Sequence, residues 1–245
     1  MSLVFSNITT KNGILQIIER NCGFGDGDIT SNSTRLAQFT GDVNLAIDKV
    51  FGFMFPLGGT WQLDDSNQTD YPIVQTDIVS GQRDYSFLTD GSGNIILDIY
   101  KVMVADTSGI FHEIEPQDQQ SSSDSSFYDG QNTGGVPTRY DKTGNGIFLD
   151  FIPNYNSTNG LKVFINREAT YFTTSDTTKK VGFAHLFHEY FALYPSYQYC
   201  RINSPQLAQS LYRDLIEMEQ AIKDYYGSRE KDVKNRMTPF KQDNK

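Results

Sequence analysis

His185, His188 and Glu189 form an H-x-x-H-E string in a segment predicted to be helical. Side chains three and four apart share a helix face, so two imidazoles there could converge on a transition metal and activate water. The spacing matches neither H-E-x-x-H nor H-x-x-E-H, and no third ligand lies near it in sequence. Phe183, Phe187, Tyr190 and Phe191 flank the string. That setting favours histidines packed in an aromatic face. A metal-assisted hydrolase using His185 and His188 remains the alternative reading.

A second candidate is the acidic run from Trp61 to Asp70, with Asp64, Asp65 and Asp70 beside the only tryptophan. Paired carboxylates can hold a divalent cation or act as general acid and base. Asp, Ser, Asn and Thr equally make the local side-chain-to-backbone bonds that shape loops. The loop or interface reading is preferred, with Trp61, Asp64, Asp65 and Asp70 as candidate contacts. Trp61 could anchor a partner or pack inside its own subunit, and the sequence does not separate the two. Gly25-Asp26-Gly27-Asp28 is too short for a calcium loop. There is no phosphate loop, dinucleotide fingerprint, nucleophile elbow or Cys-His pairing. The expectation is a non-enzymatic protein with no catalytic residue, cofactor or metal.

Charge bears on partners. The chain carries −9, yet residues 228–245 hold six Lys/Arg against three Asp/Glu, a tail of +3 that leaves −12 on the rest. An acidic body argues against sequence-specific nucleic-acid binding, which needs cations to neutralise phosphates. It is compatible with a surface past which DNA slides without sticking. Within the tail, Arg229, Lys231, Lys234 and Arg236 are candidate contacts for an acidic partner, against the plainer reading of a solvated terminus.

Cys22 and Cys200 are the only cysteines and make no metal-ligand pattern; both are expected reduced. No secretory peptide is expected from Met1–Ile8, which lacks a basic start and an apolar run. No stretch of roughly 20 apolar residues occurs, so no membrane span is expected.

The elements that would carry these residues follow a nested order. Thr10–Cys22 is a short predicted helix ending at Gly23. Asn32 or Ser33 caps the next, whose Leu36, Phe39, Val43, Ile47, Val50 and Met54 fall on one face. Strands are predicted at 73–79, 83–88, 95–105 and 161–167, with hairpins over 102–113 and 138–152. Gln117–Gly135 is Ser-, Asp- and Gly-rich and is expected to be ordered by a partner. Helix returns at Phe183, with Pro195 expected to kink or end it. A last helix begins at Pro205, capped by Ser204. The expected class is α+β: a helical bundle (1–59 and 176–227) with an inserted antiparallel β-rich module (60–175) and a basic tail (228–245).

Several strings carry a resemblance. Trp61-Gln62-x-Asp64-Asp65-x-Asn67-x-Thr69-Asp70-x-Pro72-Ile73 is one, and Val79-Ser80-Gly81-Gln82-x-Asp84-Tyr85 is another. Val136-Pro137-x-x-Tyr140-Asp141, Pro153-Asn154-Tyr155 and Gly160-Leu161-Lys162-Val163 before Tyr171-Phe172 continue the pattern. Over roughly 36–236 the chain resembles the head-to-tail adaptor, or connector ring, proteins of tailed phages, including the tail tubular A type. The resemblance implies a virion protein assembled in the host cytoplasm as a homo-oligomeric ring, a dodecamer in that family. It implies a portal protein on one side, tail or neck proteins on the other, and genomic DNA passing through without sequence-specific binding. A tail or baseplate binding module is a further alternative, disfavoured by the long amphipathic helices.

Overall fold

The computed structural model describes residues 3–54, 73–117, 134–144 and 146–228. It is a mixed α and β protein in two units, divided between Trp61 and Gln62 and again between Thr170 and Tyr171. The first unit draws on both ends of the chain and the second on the middle.

The first unit holds four α-helices among the described residues. Helix α1 (Ile14–Cys22) is shorter than the predicted Thr10–Cys22, because residues 7–11 form a turn of their own. There the Asn7 side-chain oxygen accepts from the Thr10 N–H at 2.9 Å. At its other end Gly23 adopts φ 74°, and the amides of Gly23 and Phe24 close back onto the Arg20 and Glu19 carbonyls. A left-handed glycine terminating a helix this way meets no Cβ penalty.

Helix α2 (Ser33–Met54) begins where Asn32 Oδ1 accepts from the amides of Thr34 and Arg35, both at 3.1 Å. Phe39, Val43, Ile47, Val50 and Met54 are buried on its inner face. Helix α3 (Tyr190–Asn203) continues past Pro195, so the proline does not end it. Pro195 is buried, and Ser196 Oγ donates to the Ala192 carbonyl at 2.7 Å in the same turn. Helix α4 (Pro205–Gly227) places Pro205 in its first turn and spans about 34 Å at ~1.5 Å per residue. Ser204 occupies the expected cap position, but its side chain makes no cap hydrogen bond.

The N-terminal segment is tied into this unit by its backbone. Phe5 and Ser6 donate to the carbonyls of Lys179 and Thr177, and Val4 and Phe5 accept from Ile14 and Leu15. Buried Gln16 accepts from the Asn7 amide at 2.7 Å and donates to Ser6 Oγ at 3.2 Å. Buried Glu19 takes the amides of Ile29 and Gly27, which fixes the loop after α1.

The second unit is one seven-stranded sheet. Its strands are β1 (Ile73–Ile78), β2 (Asp84–Ser86), β3 (Ile96–Ala105), β4 (Phe111–Pro116), β5 (Arg139–Thr143), β6 (Gly146–Leu149) and β7 (Ser157–Arg167). The spatial order is β1-β7-β3-β4-β5-β6-β2. An antiparallel module was the expectation, and five of the six neighbouring pairs are antiparallel; β4 and β5 pair in parallel through Glu115↔Arg139 and Pro116↔Tyr140. The sheet is therefore mixed. β7 begins four residues earlier than predicted because its first residues pair with β1, with Ile78↔Ser157 closing that ladder.

Alternation puts Leu161, Val163 and Ile165 of β7 in the sheet's core. On β3 the register shifts between Ile99 and Lys101, so Ile99 and Val102, three apart, are both buried. The β3–β4 hairpin turns as its sequence predicts: Asp106 Oδ1 accepts from the amides of Ser108 and Ile110, and Gly109 takes φ 81°.

Candidate functional site

The histidine string does not build a metal centre. His185 lies in a 3-10 turn (His185–Phe187), and the α-helix starts only at Tyr190, so the string is not on one helical face. His185 and Glu189 are exposed, while His188 is 3 % exposed. Both imidazole nitrogens of His188 are engaged. Nδ1 accepts from the Leu3 amide at 3.1 Å, and Nε2 lies 2.9 Å from the Phe183 carbonyl, which fixes Nε2 as the protonated nitrogen. The Nδ1 lone pair that a metal would need is already used. Burial pushes the His188 pKa below its ordinary value. Among the described residues no group of three or more His, Cys, Asp or Glu could hold a metal ion.

The remaining predicted contacts fall elsewhere. Trp61, Asp64, Asp65 and Asp70 lie outside the described residues, as do Arg229, Lys231, Lys234 and Arg236. Of the predicted partner-ordered loop, residues 118–133 also lie outside them.

Three of the distinctive strings do meet, inside the sheet unit. Gly81, at φ 88°, donates its amide to the Pro153 carbonyl at 2.8 Å, and Ser80 donates to Asn156 Oδ1 at 2.8 Å. The Tyr85 hydroxyl accepts from the Val79 amide at 3.2 Å, and Tyr155 donates to the Ala105 carbonyl at 2.7 Å. Burial pushes the Tyr155 phenol up to about 12, so it stays a donor at any ordinary pH. Val136 packs on the same core that holds Tyr140. The contacts these strings make with one another are turn and anchor chemistry, which positions backbone.

Two buried carboxylates reinforce that frame. Asp150 accepts from the Thr138 amide and hydroxyl at 2.9 and 2.7 Å and from the Phe151 amide at 2.9 Å. Beside it Arg83 donates to the carbonyls of Leu149 and Asp150 while its guanidinium covers the Phe148 ring. Asp90 accepts from the amides of Ser92 and Asn94 and pairs with Arg167 at 3.0 Å, both side chains 6 % exposed. Both carboxylates are buried and their oxygens are taken up by donors of the sheet unit itself.

What the helical unit leaves uncovered was less visible in the sequence. The outer face of α2, opposite its buried stripe, carries Ala37, Gly41, Leu45, Asp48 and Gly52, all exposed. A Cβ added at Gly41 or Gly52 would meet nothing within 4 Å, so neither glycine makes a close helix contact within the described chain. On α3 and α4, Ile202, Leu207, Tyr212, Ile216 and Tyr225 are also exposed. Ile216, beside buried Leu215, is legible as an apolar residue off the 3.6-residue stripe, whereas Leu207 and Tyr225 lie on that stripe and carry no such signal.

No helix of the described residues is long and apolar enough to cross a membrane. Comparison with models of known protein families gives no match, and comparison with curated proteins gives none either.

Proposed function

We propose that the chain is a non-enzymatic virion structural protein of a tailed phage, a head-to-tail connector subunit. It assembles as a homo-oligomeric ring between portal and tail and lines the channel through which the genome passes. Its helices act as a bundle that meets the portal, and its sheet is an inserted module directed to tail or neck proteins.

The observation that carries this reading is the chain order. Two end segments supply the helices of one unit, and the middle supplies the sheet of the other. That is the layout the connector resemblance implies. Support comes from the exposed apolar residues of α2, α3 and α4, which are common on subunits that bury surface on assembly. The acidic composition suits a wall that DNA must not adhere to. His188, with both nitrogens occupied, weighs against the hydrolase alternative.

The test is assembly. Purified protein mixed with the portal of the same phage is expected to form a ring-on-ring complex visible by mass photometry and electron cryomicroscopy. A folded sample that binds neither portal nor any neck protein contradicts the proposal.

A further inference from the structure

The end of α1 packs against one face of α3, where Ser196 and Cys200 stand four residues apart. Asn21 Nδ2 donates to Ser196 Oγ at 3.3 Å, and Cys22 Sγ lies 3.9 Å from the Ser196 carbonyl. The sulfurs of Cys22 and Cys200 are 3.9 Å apart, across 178 residues of sequence, and both cysteines are free thiols. A disulfide bond is about 2.05 Å long, so bonding requires the two sulfurs to approach by roughly 2 Å. Cys22 is the last residue of its helix and half-buried, whereas Cys200 is buried in the last turn of α3. Of the two thiols, Cys22 is the less buried and is the one a reagent meets first.

We propose that Cys22 and Cys200 are a redox-operated staple, closed across α1 and α3 by a small-molecule disulfide such as oxidised glutathione. The Cys22 thiolate attacks one glutathione sulfur; the glutathione S–S bond breaks and the departing thiolate takes a proton. Cys200 then loses its proton and attacks the Cys22 sulfur of the mixed disulfide, which releases the second glutathione as a thiol. Two protein thiols are oxidised and one glutathione disulfide is reduced. Burial, and then the neighbouring Cys200, push the Cys22 thiol up to about 12, so the first step is slow at neutral pH. The closed bond spans a long loop and removes much of its freedom in the unfolded chain. Under the connector reading, closure would follow release of the particle from a reducing cytoplasm; closure itself does not depend on that reading.

The experiment treats the full-length reduced protein with oxidised glutathione and follows intact mass and free thiols. The expected result is a loss of about 2 Da and of both titratable thiols, faster by about tenfold per pH unit between roughly pH 7 and 9. A proteolytic peptide joining Cys22 to Cys200 and a higher melting temperature should accompany it, all reversed by dithiothreitol. Cys200→Ser is expected to stop at a glutathione adduct on Cys22. If folded wild-type protein keeps both thiols, or itself stops at that adduct, the staple does not exist. Should Cys200→Ser fail to fold, the wild-type mass and peptide map decide alone.

Discussion

The Tyr190 hydroxyl donates to Oε1 of Glu219 at 3.0 Å, and the same oxygen holds Lys49 Nζ at 2.6 Å. One carboxylate on α4 thereby gathers α3 and α2. Tyr190 is fully buried and its ionisation is pushed far up, first by burial and then by Glu219, so it acts only as a donor. Lys49 is well exposed and contributes less, since solvent screens it. Tyr190→Phe is expected to lower stability by about 1 kcal/mol in urea unfolding, with the helical signal unchanged. Lys49→Met should cost visibly less. Equal losses from the two would place the joint at the surface pair.

His188 makes the helical unit acid-sensitive. Its folded pKa is depressed, so the unfolded chain takes up a proton on this residue before the folded one does. The His188 contribution is therefore intact above the ordinary histidine value and is lost as pH falls below about 6.5. Protonation also places a hydrogen on Nδ1, where the Leu3 amide donates. His185 and Lys180 are the positive groups that oppose the charge. His188→Gln is expected to flatten the slope of stability against pH between roughly 6.5 and 5. A wild-type slope retained in that variant would assign the effect to other groups.

The Asp90–Arg167 pair anchors the sheet at the end of β7. Removing one member of a buried pair leaves the other charge uncompensated. Arg167→Ala is expected to cost about 3–5 kcal/mol in chemical unfolding, far more than removal of an exposed pair. Lys101→Ala, which breaks the exposed link to Glu113, is the comparison and should cost under about 1 kcal/mol.

The outer face of α2 separates folding from assembly. Gly41→Ala fills open space in a helix interior and is expected to stabilise the isolated subunit by about 1 kcal/mol. Under the connector proposal Gly41→Arg should leave the subunit folded and prevent ring formation, read by mass photometry. Rings formed normally by Gly41→Arg would remove this face from the subunit contact.

Legibility in the sequence followed how local each cause was. The Asn32 cap, the left-handed Gly23 and the Asp106–Gly109 turn were readable because each is decided within a few residues. Pro195 reads locally as a kink or an end, and the end does not occur because packing of the buried turn around it carries α3 on to Asn203. The parallel β4–β5 pair was hidden because the two strands are joined through a long intervening segment, and no hairpin signal marks a parallel partner. His188 read as a metal candidate because its true partner, the Leu3 amide, lies 185 positions away. The contacts proposed at Trp61, Asp64, Asp65 and Asp70 and in the basic tail rest on the sequence alone.

Assembly on a portal is visible directly in the complex itself. An electron cryomicroscopy reconstruction of the purified chain mixed with its portal should show a closed ring of this subunit seated on the portal ring. In that ring α2 and α4 are expected at subunit boundaries. Particles that stay monomeric beside an intact portal ring, with the chain folded, would contradict it.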